Sequence, residues 1–204
     1  MPLKPIDTPE LLRLVASWMA RKENYQWLDF GGGKQILTPE WLKIMTQRDT
    51  HVLRVFTADD GTPIGVVGLE DVNRHFKTAR FWIIAGEKAF RFRGLATLAA
   101  SQMLTLAFRD LGLHAVHSWV VEHNQSARMA ERLNFTLIGR QRQCHSIDGR
   151  LYDRLWFDLL ASEHKEIDHV SQRQRPRRAR ETPAQRLVPD EAQSRDPVGR
   201  HGSL

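Results

Sequence analysis

The chain has 204 residues, a formal net charge of +6 and a single cysteine, Cys144. This length suits one folded domain with an appendage, and the lone cysteine excludes an internal disulfide and favours a reducing, cytoplasmic location. No apolar run approaches the roughly 18–20 residues of a membrane helix, and residues 1–30 lack the pattern of a signal peptide, so no membrane partner is expected. The positive charge suits nucleic acid, but it also suits a small ligand that carries several phosphates.

Two helices are predicted in the N-terminal part of the chain. Thr8-Pro9-Glu10 and Thr38-Pro39-Glu40 each combine a threonine N-cap, a proline in the first turn and an acid that favours the helix dipole. These signals predict helices over residues 9–21 and 39–47. Gly31-Gly32-Gly33, between them, is typical of a flexible loop, because a nucleotide-binding loop would need a preceding strand and a following Gly-Lys-Ser/Thr.

Three strands are predicted next. Residues 51–58 and 64–72 alternate as strands do, and the pair Asp60-Gly61 between them favours a tight hairpin turn. A third apolar run over residues 79–85 predicts a buried strand. These segments form the first half of a sheet.

A long helix, a strand and a short helix follow. Residues 94–111 are apolar on nearly every side of a helix that ends at Gly112, so we expect that helix to be buried against the sheet. Residues 115–121 predict another strand. Residues 125–133 predict a short helix that ends at Asn134, where the chain must turn left-handed.

The folded part ends with a second predicted hairpin. Its strands cover residues 135–147 and 151–160, again joined across an Asp-Gly pair, Asp148-Gly149. Strands that alternate with helices and finish in an antiparallel pair indicate an α/β or α+β fold with helices on the faces of one sheet.

A change of composition marks the expected domain boundary. Residues 1–162 are predicted to form the domain, whereas residues 163–204 lack apolar periodicity and include an arginine-rich run over residues 172–180. The favoured interpretation is a disordered, solvated tail. The sharper alternative is that the tail binds RNA, a ribosome or another anionic surface through weak electrostatic contacts.

A basic, glycine-bearing loop lies between the strand over 79–85 and the helix over 94–111. A helix start with free backbone N–H groups, a glycine and nearby arginines is a suitable phosphate site. An aromatic and basic strip for single-stranded nucleic acid is the alternative, which the helix start at Gly94 makes less favourable. The residues of this candidate phosphate loop are Arg91, Phe92, Arg93, Gly94, Leu95, Ala96 and Thr97.

From about Arg54 to Leu160 the chain resembles the RimJ/RimL-type branch of the GNAT N-acetyltransferases. The resemblance is carried by short motifs in the order and spacing of that branch: Gly65-Val66-Val67-Gly68-Leu69, Ala79-Arg80-Phe81, Gly94-Leu95-Ala96-Thr97, Ala107-Phe108-Arg109-Asp110-Leu111-Gly112-Leu113-His114, Asn124-Gln125-Ser126 and Glu131-Arg132-Leu133-Asn134-Phe135.

The resemblance implies a mixed, mostly antiparallel central sheet with helices on both faces. The strands over 79–85 and 115–121 would splay apart to admit acetyl-CoA. The pyrophosphate would be bound by the loop from Arg91 to Thr97, and the pantetheine arm by the backbone near Ile84 and Ala85. Acetyl-CoA is thus the expected co-substrate, and no metal is expected.

Three residues near the short helix have competing interpretations. The resemblance implies that Asn124 contacts the pantetheine arm, although an asparagine there can equally cap the helix. In one alignment His123 takes the place of that asparagine. Ser126 is implied near the thioester sulfur, although ordinary first-turn helix chemistry explains a serine equally well.

The general base and acid are where the chain departs from the family pattern. Many relatives have a glutamate at the position of Arg80 and a tyrosine at the position of Ala130. The candidate substitutes are Glu70 with its neighbour Asp71, which can also end a strand or bind the acceptor's ammonium, and His117. A hydrogen-bonded core histidine is the favoured interpretation of His117.

The predicted function is acetyl transfer from acetyl-CoA to a primary amine by direct attack on the thioester. The acceptor is a protein N-terminus, an aminosugar or a small metabolite, in a pocket that could include Tyr25, Trp27 and Trp41. The alternative is a non-catalytic protein that binds acyl-CoA, RNA or a partner through its basic tail. Either a monomer or a homodimer fits the sequence.

Overall fold

A computed structural model describes residues 3–30, 38–90 and 94–167. The described residues form one mixed sheet of seven strands in the order β1-β2-β3-β4-β5-β7-β6. The strands are β1 Lys4–Pro5, β2 Val52–Thr57, β3 Pro63–Asn73, β4 Thr78–Ala85, β5 Ala115–Val121, β6 Thr136–Ile147 and β7 Arg150–Leu160. The helices are α1 Pro9–Met19, α2 Lys22–Tyr25, α3 Pro39–Thr46, α4 Leu95–Thr105 and α5 Ser126–Arg132, with a 3-10 turn over Lys88–Phe90.

The sheet is antiparallel except between its two central strands. β4 and β5 run parallel, because α4 carries the chain across one face of the sheet between them. The other neighbouring pairs are antiparallel, including the long hairpin of β6 and β7. The predicted mixed, mostly antiparallel sheet is therefore confirmed.

Two apolar cores cover the two faces of the sheet. On one face, α1 and α3 pack on the central strands through residues such as Trp18 and Leu42, which are fully buried. On the other face, α4 and α5 pack through residues such as Met103 and Leu133. The prediction of helices on both faces of the sheet is therefore confirmed.

The expected caps begin the first and third helices. The Thr8 hydroxyl accepts a hydrogen bond from the Leu11 N–H at 3.3 Å, and the Thr38 hydroxyl accepts one from the Trp41 N–H at 3.2 Å. Each bond satisfies a backbone donor that the helix itself leaves unpaired. The two Thr-Pro-Glu signals therefore indicate these helix starts correctly, although α1 and α3 end before the predicted residues 21 and 47.

The long central helix differs from its prediction in its last turn. α4 ends at Thr105, and Leu106–Asp110 continue it as a π-helical turn. The Leu111 N–H donates to the Leu106 carbonyl five residues back at 3.0 Å. The side-chain pattern could not indicate this wider turn, since apolar residues occur on nearly every side of the helix. Gly112 follows with φ 62°, as a glycine stop requires.

The predicted turn residues adopt the backbone conformations that they favour. Gly61 has φ 85°, Asp148 and Gly149 have φ 51° and 77°, and Asn134 has φ 66°. Positive φ values cost little at glycine, asparagine and aspartate, which is why these residues punctuate the sequence.

The chain after β7 returns to α4. The Ile167 N–H donates to the buried Ser101 hydroxyl at 2.8 Å, and the Thr105 hydroxyl lies 2.8 Å from His164 Nε2. Residues 163–167, at the start of the expected tail, therefore contact the domain. The rest of that tail, residues 168–204, lies outside the described residues, as does Gly31-Gly32-Gly33.

Across the described ranges no helix is long and apolar enough to cross a membrane. Within the same ranges, no group of three or more His, Cys, Asp or Glu side chains is arranged to hold a metal ion. Cys144 is partly exposed, and its thiol contacts the Gln141 carbonyl at 3.3 Å.

Candidate active site

A cleft opens where the two parallel strands separate. β4 and β5 pair only from Thr78 to Arg80, opposite Ala115 to His117. The Ser118 hydroxyl then donates to the Phe81 carbonyl at 2.8 Å, in place of a backbone ladder bond. Beyond that point β4 and β5 no longer pair with each other, and Trp82, Ile83 and residues 119–121 line the cleft. The predicted splayed strand pair is thus present.

The helix α5 lines one side of this cleft. Asn124, Ser126, Met129 and Ala130 all face it. The Asn124 side-chain oxygen accepts the Ser126 N–H at 2.9 Å, so Asn124 bonds to the start of α5, although Gln125 occupies the N-cap position. His123 instead has φ 68° and a side chain that is 76% exposed, so Asn124 rather than His123 lies at the cleft. Ala130 has no hydroxyl to offer at the position where many relatives have a tyrosine.

The predicted backbone contacts lie at the end of β4. Ile84 and Ala85 pair with Val66 and Gly65 of β3, and the Ile84 side chain is buried in the core beneath α1. The contact of their backbone with a pantetheine arm stays a prediction. Ile83, which precedes these two residues on β4, lines the cleft itself.

The described part of the candidate phosphate loop begins at Gly94. Gly94 precedes α4 with φ 78°, a left-handed conformation that glycine adopts without strain. Leu95, Ala96 and Thr97 form the first turn, where backbone N–H groups have no partner within the helix. Arg91, Phe92 and Arg93 lie outside the described residues. Their contact with phosphate stays a prediction.

Arg80 joins two carboxylates at the mouth of the cleft. Its Nε lies 2.8 Å from Glu70 Oε1, and its Nη1 lies 3.1 Å from Asp29 Oδ2. Strand alternation places Glu70 and Arg80 on the α1 face, side by side on β3 and β4. The contact with Glu70 is an ion pair in which the Nε–H bond is not aligned with the oxygen.

Glu70 is the buried acid of the cleft. Its side chain is 8% exposed, whereas that of its neighbour Asp71 is 71% exposed. Burial raises the pKa of the Glu70 carboxyl to about 7, although the Arg80 guanidinium opposes this shift. Glu70 can therefore both release and accept a proton near neutral pH.

His117 lies next to Arg80 on β5, but it occupies a different environment. Its ring stacks on Trp156 with 6.1 Å between ring centroids. Burial, and then the charge of Arg80, lower the pKa of the His117 imidazole. Among the residues that the structure describes, Glu70 and Ser126 line the cleft and His117 does not. Of the three predicted catalytic residues, Glu70 and Ser126 are thus brought together at the cleft.

A second arginine was not foreseen from the sequence. Arg154 of β7 lies 3.2 Å from Asp29 Oδ2, and its guanidinium carbon lies 3.8 Å from the centre of a Trp119 ring. Alternation along β7 could have indicated its face, but Asp29 is in a loop, and nothing in the sequence connects a loop acid to a strand far along the chain.

A histidine fixes the orientation of Arg154. The Arg154 Nε–H donates to His145 Nδ1 at 3.2 Å, and His145 Nε2 lies 2.7 Å from the Gln26 carbonyl. Because an arginine only donates and a carbonyl only accepts, His145 carries its proton on Nε2. The turn after α2 is thereby held to β6.

Aromatic residues form the wall of the cleft on the α1 face. Trp27, Phe30, Trp82 and Trp119 line it, and the rings of Phe30 and Trp82 meet edge to face at 5.0 Å. Gly68 makes room for this wall, because a Cβ there would lie 2.6 Å from the Trp82 ring. Of the predicted pocket aromatics, Trp27 lines the cleft. Tyr25 is 40% exposed, and Trp41 packs near Phe30.

Comparisons with known proteins agree with this geometry. The family model described as an acetyltransferase (GNAT) domain matches residues 1–136. The Bacillus subtilis (strain 168) protein named "Putative ribosomal N-acetyltransferase YdaF" is 25% identical over 171 residues, which are 79% of this chain and 90% of that protein.

Two solved structures share the fold. A spermidine N-acetyltransferase from Vibrio cholerae in complex with CoA and spermine matches with a TM-score of 0.70 and 20% identity, over 79% of this chain and 96% of that one. A structure described as one of the "probable acetyltransferases (GNAT family)" of Chromobacterium violaceum ATCC 12472 matches with a TM-score of 0.63 and 24% identity, over 79% and 87%. The chain therefore belongs to the GNAT acetyltransferase family, as its RimJ/RimL-like motifs predict, and it is an N-acetyltransferase that uses acetyl-CoA.

Proposed function

We propose that this enzyme acetylates a primary amine in the cleft between β4 and β5, with Glu70 as the general base. The observation that carries the proposal is a buried carboxyl with a pKa of about 7 in the wall of that cleft. A base with a pKa near the working pH combines a useful deprotonated fraction with enough basicity to take a proton.

The residues around the cleft fit acetyl-CoA. Beyond Arg80 and His117 the facing edges of β4 and β5 do not pair with each other, so they can offer backbone groups to an extended pantetheine arm, and the first turn of α4 offers N–H groups to phosphate. Gly94 presents no side chain in front of that turn. When bound, acetyl-CoA supplies a thioester carbonyl that an amine can attack, with CoA as the leaving group.

Glu70 and the aromatic wall would prepare the acceptor. An amine must be neutral to attack, and the Glu70 carboxylate can take the proton that its nitrogen loses. The indole faces of Trp27 and Trp82 would hold an incoming ammonium at the mouth before that transfer. The nitrogen of an incoming ammonium loses two protons in all: Glu70 takes one and passes it to solvent, and the other ends on the CoA thiolate, so that the products are the N-acetylated acceptor, the CoA thiol and one proton in solvent.

Ser126 is proposed to assist the leaving group. It lines the cleft together with Ala130. Many relatives have a tyrosine at the position of Ala130. A hydroxyl can donate a hydrogen bond to a leaving thiolate without protonating it, so we expect Ser126 to contribute less than Glu70.

The acceptor class remains a primary amine. One curated relative is named as a ribosomal N-acetyltransferase, and the structural neighbours include spermidine N-acetyltransferases. A first acceptor panel should therefore contain ribosomal-protein N-terminal peptides, polyamines, aminosugars and amino-acid amides.

Glu70→Gln tests the proposal. The amide keeps the shape of the side chain but cannot take a proton, so kcat with the best amine should fall by about 10²- to 10⁴-fold. The Kd for acetyl-CoA, measured by calorimetry, should stay within about twofold.

Glu10→Gln is the matched control, because Glu10 lies on α1 with a side chain that is 74% exposed. It should leave kcat unchanged. Full activity of the Glu70→Gln enzyme would exclude Glu70 as the base, and a large loss in His117→Gln alone would transfer the role to the imidazole.

A further inference from the structure

Asp29 shares the Arg80 guanidinium with the proposed base. Arg80 offers its Nε edge to Glu70 and its Nη1 to both oxygens of Asp29, at 3.1 and 3.3 Å. Nη1 donates hydrogen bonds to Asp29, whereas the contact of Nε with Glu70 is an ion pair. The guanidinium is thus shared between the loop acid and the buried one.

Independent contacts keep Asp29 at this position. Arg154 Nη1 donates to Asp29 Oδ2 at 3.2 Å, and Arg154 is itself held by the Trp119 ring and by His145. On the other side, the turn after α2 ends with the Leu28 N–H bonded to the Tyr25 carbonyl at 3.0 Å. Asp29 therefore lies against Arg80 because β7 and α2 both hold it there.

We propose that Asp29 is a positioning residue for the reaction: by binding one arm of Arg80, it withholds positive charge from Glu70 and keeps that buried carboxyl able to accept a proton. This inference rests on the proposed role of Glu70 as the base. Asp29 need not touch the amine at the moment of transfer, since it acts through Arg80.

Two electrostatic effects of Asp29 have the same sign. Its negative charge disfavours the ionised form of Glu70 directly, and its bonds to Nη1 keep the Arg80 guanidinium from turning fully toward Glu70. Without Asp29, Glu70 would face a whole guanidinium in a poorly solvated site. It would then be a weaker base, in the same way that a carboxylate beside an arginine normally is.

The other charged groups around Glu70 are arranged differently. They come from β3, β4 and β5 and from His51, the residue before β2, whereas Asp29 comes from the loop after α2. Asp71 is largely exposed, and both His117 and His51 interact electrostatically with Asp71 and Arg80. Among the described residues, the charged or titratable groups around Glu70 and Arg80 include Asp29, Asp71, His117 and His51, with Arg154 bonded to Asp29.

Asp29→Asn is the test, in the full-length enzyme. The titration midpoint of Glu70 is read from NMR of the glutamate carboxyl carbons, assigned by its disappearance in Glu70→Gln. We expect this midpoint to fall by about 0.5 to 1 pH unit, because a charge is removed and an arginine is released. The acidic limb of the plot of kcat/KM against pH should move to lower pH by the same amount. The value of kcat at the alkaline plateau should fall, because the base is weaker.

Two control variants separate the effect of negative charge near Glu70 from the effect of the bond between Asp29 and Arg80. Asp71→Asn removes another carboxylate that raises the pKa of Glu70, 3.8 Å from Arg80 Nε, so it should lower the midpoint through charge alone. Because it leaves Asp29 bonded to Arg80 Nη1, comparison of the two variants isolates the part of the Asp29 effect that acts through the arginine. Asparagine also tolerates the positive φ of 52° at this position. Asp29→Glu keeps the charge and should restore most of the wild-type midpoint.

The two readouts distinguish this inference from the proposal on which it rests. A lower NMR midpoint together with a shifted kinetic limb supports both. A lower midpoint with an unmoved limb supports the control of Glu70 by Asp29 and excludes Glu70 as the base. An unchanged midpoint in folded Asp29→Asn overturns the inference, whatever Glu70→Gln does to kcat.

Discussion

Glu70 and Arg80 lie directly opposite each other on β3 and β4, with 2.8 Å between Glu70 Oε1 and Arg80 Nε. The resemblance to GNAT enzymes places a glutamate at the position of Arg80. Here the carboxyl comes instead from the neighbouring strand, in the same row of the sheet. The cleft therefore retains an acid near its opening, and the arginine becomes the partner of that acid.

Glu70 should make the stability of the enzyme depend on pH. Its pKa is about 7 in the folded protein and near 4.5 when unfolded, so the folded state binds more protons between these values. The free energy of unfolding should therefore fall as pH rises through this window, by on the order of 2 to 3 kcal/mol from this group alone.

Glu70→Gln provides the comparison, since an amide does not titrate. Urea unfolding at pH 5 and pH 8 should show that the wild-type protein loses more stability with rising pH than the variant does. A wild-type curve that runs parallel to that of Glu70→Gln would contradict the raised pKa.

Gly94 should be required for binding acetyl-CoA. Its φ of 78° makes any side chain strained by about 1 kcal/mol, and a Cβ would also stand before the first turn of α4. Gly94→Ala should weaken acetyl-CoA binding on the order of tenfold, measured by calorimetry, and Gly94→Glu should abolish it.

Gly112→Ala is the matched control for the backbone strain. Gly112 has φ 62°, and a Cβ there would meet no atom within 4 Å. It lies at the far end of the same helical segment from the cleft. Its substitution should cost similar stability and leave the Kd for acetyl-CoA unchanged. Equal loss of affinity in both variants would show that strain rather than approach to the ligand is the cause.

The end of the folded domain can be located by truncation. A chain that ends at Ile167 keeps the hydrogen bond from its N–H to Ser101 and the contact of His164 with Thr105, whereas one that ends at residue 162 loses both. The shorter chain should be less stable by about 1 to 3 kcal/mol, because the buried Ser101 hydroxyl loses a partner.

Acetyl transfer should survive removal of residues 168–204. Urea unfolding and turnover of the two truncated chains provide the measurement. Equal stability of both would show that residues 163–167 contribute nothing to the domain, and a large loss of turnover in the longer chain would contradict the expected role of the tail as an appendage.

Local signals in the sequence predict the elements of this fold well. Thr8 and Thr38 cap helices, and Gly61, Asn134 and Gly149 turn the chain, because each acts through its own backbone or that of its near neighbours. The family is indicated by the order and spacing of several short motifs from Gly65 to Phe135, each of them built from consecutive residues.

The sequence by itself thus determined the order of strands and helices along the chain, the family and the pair of strands between which the cleft opens. Tertiary structure alone decided which acid is buried beside that cleft. Glu70 and Asp71 are neighbours in sequence and equally acidic, yet one is 8% exposed and the other 71%. The difference arises where Asp29, Arg80 and Arg154 converge from three separate segments, because burial and pairwise charge depend on distances between residues that the chain order does not contain.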